Sequence, residues 1–212
     1  MDAKYLEPEF ETASRATLTR LQTERLRAQV EHAYRGSPFY RRKLDAAAVK
    51  PAAIRTLADL ARLPFTTKDE LKQSQADAPL WGDFLAVPFD DVLRVHMTSA
   101  TTGRPLAFLD TKDDWYGFCH SYARSLYAFG LRKSDVVMTA FSFGPWIGFW
   151  SGFYAAQDLG CMVFPVGGFS TDQRLDALLT YPITALGCTP GSTDCSVSVS
   201  ENFANFAFTC TG

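Results

Sequence analysis

The run Val136-Val137-Met138-Thr139-Ala140-Phe141, with the turn Ser142-Phe143-Gly144-Pro145 behind it, decides the class of fold. Nearly every residue of the first six is apolar, as expected of a strand buried on both faces. Trp146 to Leu159 then reads as a helix that Gly160 ends, and Cys161-Met162-Val163-Phe164 reads as the next strand. Strand, crossover helix and strand make a right-handed βαβ unit, which implies a parallel sheet. No charged residue lies between Val136 and Ala156, and that length could cross a bilayer. Pro145, three glycines (Gly144, Gly148, Gly152) and the polar Thr139 and Ser142 interrupt it, so it reads as strand, turn and buried helix.

The pattern extends both ways. Trp115, Phe118, Cys119, Tyr122, Leu126 and Phe129 recur at helical spacing before the first strand. Thr111 and Asp114 resemble a capping box at that helix's start, and Gly130 suits its end. After the second strand, Ser170 and Gln173 form an S-x-x-Q box, with Leu175, Leu178 and Leu179 as the buried stripe. Tyr181-Pro182 stops that helix, and Ile183 to Leu186 reads as a third strand. Ligands on such sheets sit beyond the carboxyl ends of the strands. That singles out the loop Ser142–Trp146 and the loop Pro165-Val166-Gly167-Gly168, whose glycines permit close approach of a ligand. Phe141, Phe143 and Trp146 read either as an aromatic wall or as packing.

Upstream the chain is helical. Thr12 to Tyr34 carries Leu18, Leu21, Leu26, Val30 and Ala33 on one side, with His32 near its end. Short helices follow Thr56 and Thr66-Thr67, the latter with a hydroxyl cap and acids that read as a solvated face. Between this region and the sheet lies Thr98-Ser99-Ala100-Thr101-Thr102-Gly103-Arg104-Pro105, flanked by alternating runs at Leu93–Met97 and Leu106–Leu109 that read as strands. A tight hydroxyl- and glycine-rich loop can turn N–H groups and hydroxyls onto phosphate oxygens. Arg104 adds a charge-assisted contact of roughly 1.5–3 kcal/mol. The spacing is not that of the common P-loop.

The 212 residues are 47% hydrophobic and 21% charged, with net charge −2. That is a globular composition without a basic footprint for nucleic acid or an anionic membrane. Five cysteines, widely spaced and odd in number, argue against a disulfide framework or zinc site and fit a reducing cytoplasm. Cys119, Cys161 and Cys188 lie in apolar runs and read as core. The start Met1-Asp2-Ala3-Lys4 lacks a signal-peptide pattern. No Ser-His-Asp set or paired acids mark a catalytic residue, and no metal ligands are assigned.

The loop Thr98–Arg104 resembles the phosphate-binding signature of adenylate-forming (AMP-binding) enzymes, a Ser/Thr/Gly run closing in T-T-G-K-P. His32-Ala33-Tyr34, Pro38-Phe39-Tyr40-Arg41, Leu57 to Lys68, Phe84-Leu85-Ala86-Val87-Pro88, Phe143-Gly144 and Leu159 to Gly168 are similar to the phenylacetate–CoA ligase branch. The resemblance covers roughly residues 5 to 190. It implies an α/β fold in which a helical region (residues 1–92) precedes parallel βαβ units (93–190) like the first part of the family's large domain. It implies a ligase that joins a carboxylic acid, often an arylacetate, to coenzyme A through an acyl-adenylate made from ATP with Mg²⁺. Thr98, Ser99, Ala100, Thr101, Thr102, Gly103 and Arg104 would hold phosphates, and Phe141, Phe143, Gly144 and Trp146 would border the acid.

Ala100 stands where the family has glycine, and Arg104 where it has lysine. The tail, residues 191–212, is Ser/Thr/Asn-rich and unlike the family; it reads as a poorly ordered end or a weak strand pair, in a truncated or frame-shifted product whose native reading stops near Pro190. A family member continues further, through a glutamate for Mg²⁺, a ribose-binding aspartate and a domain with the adenylation lysine. The expectation is therefore a ligase by family that is inactive alone and self-associates through exposed apolar surface. The alternatives are a non-catalytic, nucleotide-binding or partner-binding fragment, and an adenylating enzyme with another acceptor.

Overall fold

A computed structural model describes residues 3–98 and 104–188, and the backbone of 208–210. The chain forms two compact units: Pro8–Lys112, and the residues up to Glu7 together with those from Asp113 onward.

The first unit begins with α1 (Pro8–Glu11), α2 (Arg15–Gly36) and α3 (Pro38–Ala46). Ser14 caps α2 by accepting from the Thr17 N–H, which sets its start three residues inside the predicted Thr12. Ser37 closes α2 and opens α3, with Pro38 at the first helical turn. Val30, Leu44, Val49 and Ile54 form the buried cluster here. Two 3₁₀ turns (Pro51–Ala53, Leu57–Arg62) lead to α4 (Lys68–Asp77), which opens with a full capping box between Thr67 and Glu70. Glu70 is thus no idle surface acid: it accepts from the Thr67 N–H and pairs with Lys43, which holds its carboxyl down at about 2. The strands β1 (Val92–Met97) and β2 (Ala107–Thr111) pair antiparallel, with His96 opposite Phe108.

The second unit carries the sheet. After α5 (Lys112–Ala128) come β3 (Val136–Thr139), α6 (Ile147–Asp158), β4 (Met162–Pro165), α7 (Thr171–Thr180), β5 (Ala185–Cys188) and β6 (Phe208–Cys210). The strand order is β4-β3-β5-β6, and every pairing is parallel. This is the α/β architecture expected from the sequence. Each strand lies within two residues of its predicted place. Beyond Thr189 the predicted tail falls outside the described residues, apart from β6, which pairs with β5.

β3 is covered on both sides. Val137 joins Ala123, Leu126, Leu131, Ala155, Ala156, Cys161 and Ala185 in one cluster. Met138 and Ala140 join Val166, Ala177, Ile183 and Cys188 in the other. Cys119, Cys161 and Cys188 are buried. Gly130 (φ 106°) and Gly160 (φ 79°) let the chain leave α5 and α6 in the left-handed region. In each case the next N–H bonds back into the helix, Leu131 to Leu126 and Cys161 to Ala156.

Two stripes differ from expectation. On α5 the buried set is Trp115, Cys119, Ala123 and Leu126, whereas Phe118 and Phe129 are exposed. On α7 Ala177 is buried and Leu179 is 82% exposed. No helix among the described residues is long and apolar enough to cross a membrane.

Candidate functional site

Two places draw polar and glycine-rich loops together, one in each unit.

In the first unit the hairpin β1–β2 carries the predicted phosphate loop. Ser99, Ala100, Thr101, Thr102 and Gly103 lie outside the described residues; Thr98 and Arg104 lie within them. The hairpin is pinned where the loop leaves it. Thr98 N–H donates to the Leu106 carbonyl at 3.0 Å, and Leu106 N–H donates to Thr98 Oγ1 at 3.1 Å. Arg104 is exposed.

Beneath the hairpin, buried Gln75 of α4 copies a strand neighbour. Its Nε2 donates to the Ala107 carbonyl at 2.8 Å, and its Oε1 accepts from the Ala107 N–H at 3.2 Å. His96, 3% exposed, sits 2.5 Å from Asp110 through Nδ1. Burial pushes the imidazole below its ordinary value despite the carboxylate beside it. Sequence reading passed over Gln75 and Asp110 because neither belongs to a motif.

In the second unit the site is the carboxyl end of the sheet. α6 leaves β3 toward one face and α7 leaves β4 toward the other, as the two clusters show. The strand order β4-β3-β5 turns back at β3, and it is at such a reversal, beyond the carboxyl ends of the strands, that α/β sheets bind ligands. The loops after β3 and β4 meet there. Arg174 of α7 joins them: Nη1 donates to the Ala140 carbonyl at 3.1 Å and Nη2 to the Gly167 carbonyl at 3.4 Å. Gly167 is needed for this closeness, since a Cβ would lie 2.8 Å from the Phe141 carbonyl oxygen and 2.7 Å from the Phe143 ring. Its lack of a side chain serves loop-to-loop packing.

The four predicted pocket residues all stand at this end of the sheet. Phe141 stacks on Phe149 at 4.5 Å, and Phe143 packs on Trp150 at 4.6 Å. Trp150 Nε1 donates to the Gly144 carbonyl at 2.7 Å. Trp146, the residue before α6, is 41% exposed. Phe141 lines a small, partly open cavity of about 30 Å³, together with Tyr122, Thr139, Gly148, Gly152, Leu186 and others; Phe143, Gly144 and Trp146 do not line it. Thr139 is 2% exposed, and its hydroxyl has no hydrogen-bond partner among the described residues.

The described residues contain no group of three or more His, Cys, Asp or Glu side chains able to hold a metal ion. Arg104 supplies a cation, and Phe141, Phe143 and Trp146 supply apolar surface; no ligand set for Mg²⁺ is found among the described residues.

No protein-family profile matches the chain. Curated relatives do. A phenylacetate-coenzyme A ligase of Thermus thermophilus is 40% identical over 184 residues, which are 87% of this chain and 40% of that protein. The phenylacetate-coenzyme A ligase of Escherichia coli is 37% identical over 181 residues, 85% of this chain and 40% of its own length. Among solved structures, 2-hydroxyisobutyryl-CoA ligase in complex with 2-HIB-AMP and CoA superposes with a TM-score of 0.84 at 34% identity, over 89% of this chain and 40% of that one. The chain thus spans about two-fifths of the length of the proteins it matches. Over that shared length the chain is similar to phenylacetate–CoA ligases and to 2-hydroxyisobutyryl-CoA ligase.

Proposed function

We propose that this chain supplies the phosphate-holding hairpin and the acid-side wall of an ATP-dependent, AMP-forming acid–CoA ligase acting in the cytoplasm on an aryl acid such as phenylacetate. The observation that carries the reading is the hairpin, with both ends of the loop fixed by the Thr98–Leu106 pair and Arg104 exposed at its exit. When bound, ATP would give its adenylyl group to the acid's carboxylate, and the acyl group would pass to the thiol of coenzyme A. Residues 98–104 hold the departing pyrophosphate, whose charge grows as the bond to the α-phosphorus breaks. Phe141, Phe143, Gly144 and Trp146 form the acid's surroundings, where aromatic walls favour an aryl group.

The test is calorimetry of ATP with Mg²⁺ on the purified chain and on Arg104→Ala. Binding to the chain that weakens about tenfold in the variant supports the reading, in line with loss of one charge-assisted contact. Equal binding by both removes Arg104 from the site, and no binding by either rejects the nucleotide role.

A second reading is that this stretch, taken on its own, binds nucleotide without turning over. Catalytic groups act together, so a partial set gives far less than its share of the rate. Acid-dependent exchange of pyrophosphate into ATP, measured above background, would reject this second reading.

A further inference from the structure

The cavity of about 30 Å³ under Phe141 has a composition that asks for a particular occupant. Its walls come from Tyr122 of α5, Gly148 and Gly152 of α6, Thr139 of β3 and Leu186 and Gly187 of β5. The two α6 glycines are four residues apart and so share one face of the helix. An added Cβ at Gly148 meets nothing within 4 Å, and one at Gly152 makes an ordinary 3.4 Å contact with the Tyr122 ring. The space therefore exists because α6 presents no side chains there.

Two hydroxyl-bearing residues line this mostly apolar space, Tyr122 of α5 and Thr139 of β3. Thr139 is 2% exposed, and its Oγ1 is buried without a hydrogen-bond partner among the described residues. A buried hydroxyl left unpaired is costly, and most native structures satisfy it. Its neighbours on β3, Val137 and Met138, are apolar and settled in the core, so a valine would have served packing equally well. A water has room, because one needs only about 10–15 Å³ measured this way, but a well-held water makes two to four hydrogen bonds. The complementary occupant has an apolar body and a single hydroxyl at its end.

We infer that Thr139 is a specificity-determining residue: the cavity receives the distal hydroxyl of a hydroxylated aryl acid, and Thr139 Oγ1 is its hydrogen-bond partner. This rests on the acid-binding reading above and narrows its substrate class. The ring then lies toward Phe141, which lines the same cavity and stacks on Phe149. An unsubstituted ring leaves the threonine hydroxyl unpaired, and a site built for a hydroxyl discriminates against the analogue lacking it.

The experiment is calorimetry of phenylacetate and 4-hydroxyphenylacetate on the purified chain, on Thr139→Val and on Thr139→Ser. The hydroxylated acid is expected to bind the unmodified chain about tenfold tighter, the size of one net hydrogen bond. Thr139→Ser keeps the preference and Thr139→Val loses it. Equal affinity for the two acids, or a preference that survives in Thr139→Val, overturns the role of Thr139 and leaves the acid-binding reading standing. Binding of neither acid to the unmodified chain overturns both. The comparison of the two acids on the unmodified chain decides even where the valine variant does not fold.

Discussion

His120 holds a small ionic cluster together from the middle of α5. Its Nδ1 lies 2.6 Å from Asp158 Oδ2 on α6, and its Nε2 lies 3.4 Å from Glu7 Oε1. Glu7 also takes the Nε–H of Arg124 at 2.6 Å. The hydrogen bond to Asp158 raises the imidazole above its ordinary value; partial burial opposes this and Glu7 adds to it. A base whose folded value is raised gives stability that is complete below the unfolded value, near 6.5, and is lost as pH rises through the folded one. The stability of the second unit therefore falls as pH climbs above about 6.5. Since the His120 side chain is 45% exposed, the contribution stays below about 1 kcal/mol. Melting temperature measured from about pH 6 to 8 should slope downward in the unmodified chain, and the slope should be smaller in His120→Gln. Identical slopes would remove His120 as the source.

At the scale of elements, α5 shows what spacing reveals and what bulk conceals. Helix, strand and loop order followed from apolar periodicity, glycine stops and proline breaks, and the capping pair Ser170–Gln173 forms as its spacing predicts. The faces were harder to read. Phe118 looks like core by size, yet it is exposed, while Ala123 at 0% exposure is the packed residue. The same exchange occurs on α7 between Leu179 and Ala177. Alanines at 123, 155, 156 and 177 line the clusters against β3; small side chains let a helix approach closely, and hydrophobicity ranks them low. Sequence reading put the candidate site in two loops, Ser142–Trp146 and Thr98–Arg104, the second with residues 99–103 outside the described residues, because short polar runs at strand ends carry a signal of their own. Gln75, Asp110 and Arg174 were not legible, because each gets its role from a partner far away in sequence. α5 also offers a test. Gly117 lies inside the helix, exposed, and a Cβ there meets nothing within 4 Å. Gly117→Ala removes backbone entropy from the unfolded chain without a clash, so it should stabilise by about 0.5–1 kcal/mol, a rise in melting temperature of about 1–4 °C. A fall in melting temperature would show that the exposed face of α5 is in contact with something.

At the scale of the whole chain, the question is what the surface of the second unit meets in solution. β4 ends the sheet in the order β4-β3-β5-β6, so one side of its backbone has no strand partner among the described residues. Met162 on that strand is 67% exposed, and Leu179 and Tyr181 behind it on the chain are 82% and 51% exposed. Phe164 of β4 packs on Tyr181 at 4.8 Å, which ties the strand to the end of α7. An unpaired edge with apolar side chains is a template for another chain, and natural edges are commonly guarded by lysine. Net charge of only −2 offers little repulsion between copies. The chain should therefore self-associate as its concentration rises, and light scattering coupled to sizing chromatography should show a mass above the 23.5 kDa of one copy. Met162→Lys places a charge on the edge at a site already exposed, so it should return the mass to that of a monomer without lowering the melting temperature. A monomer at every concentration in the unmodified chain would reject the association. Association that persists in Met162→Lys would locate it away from the β4 edge.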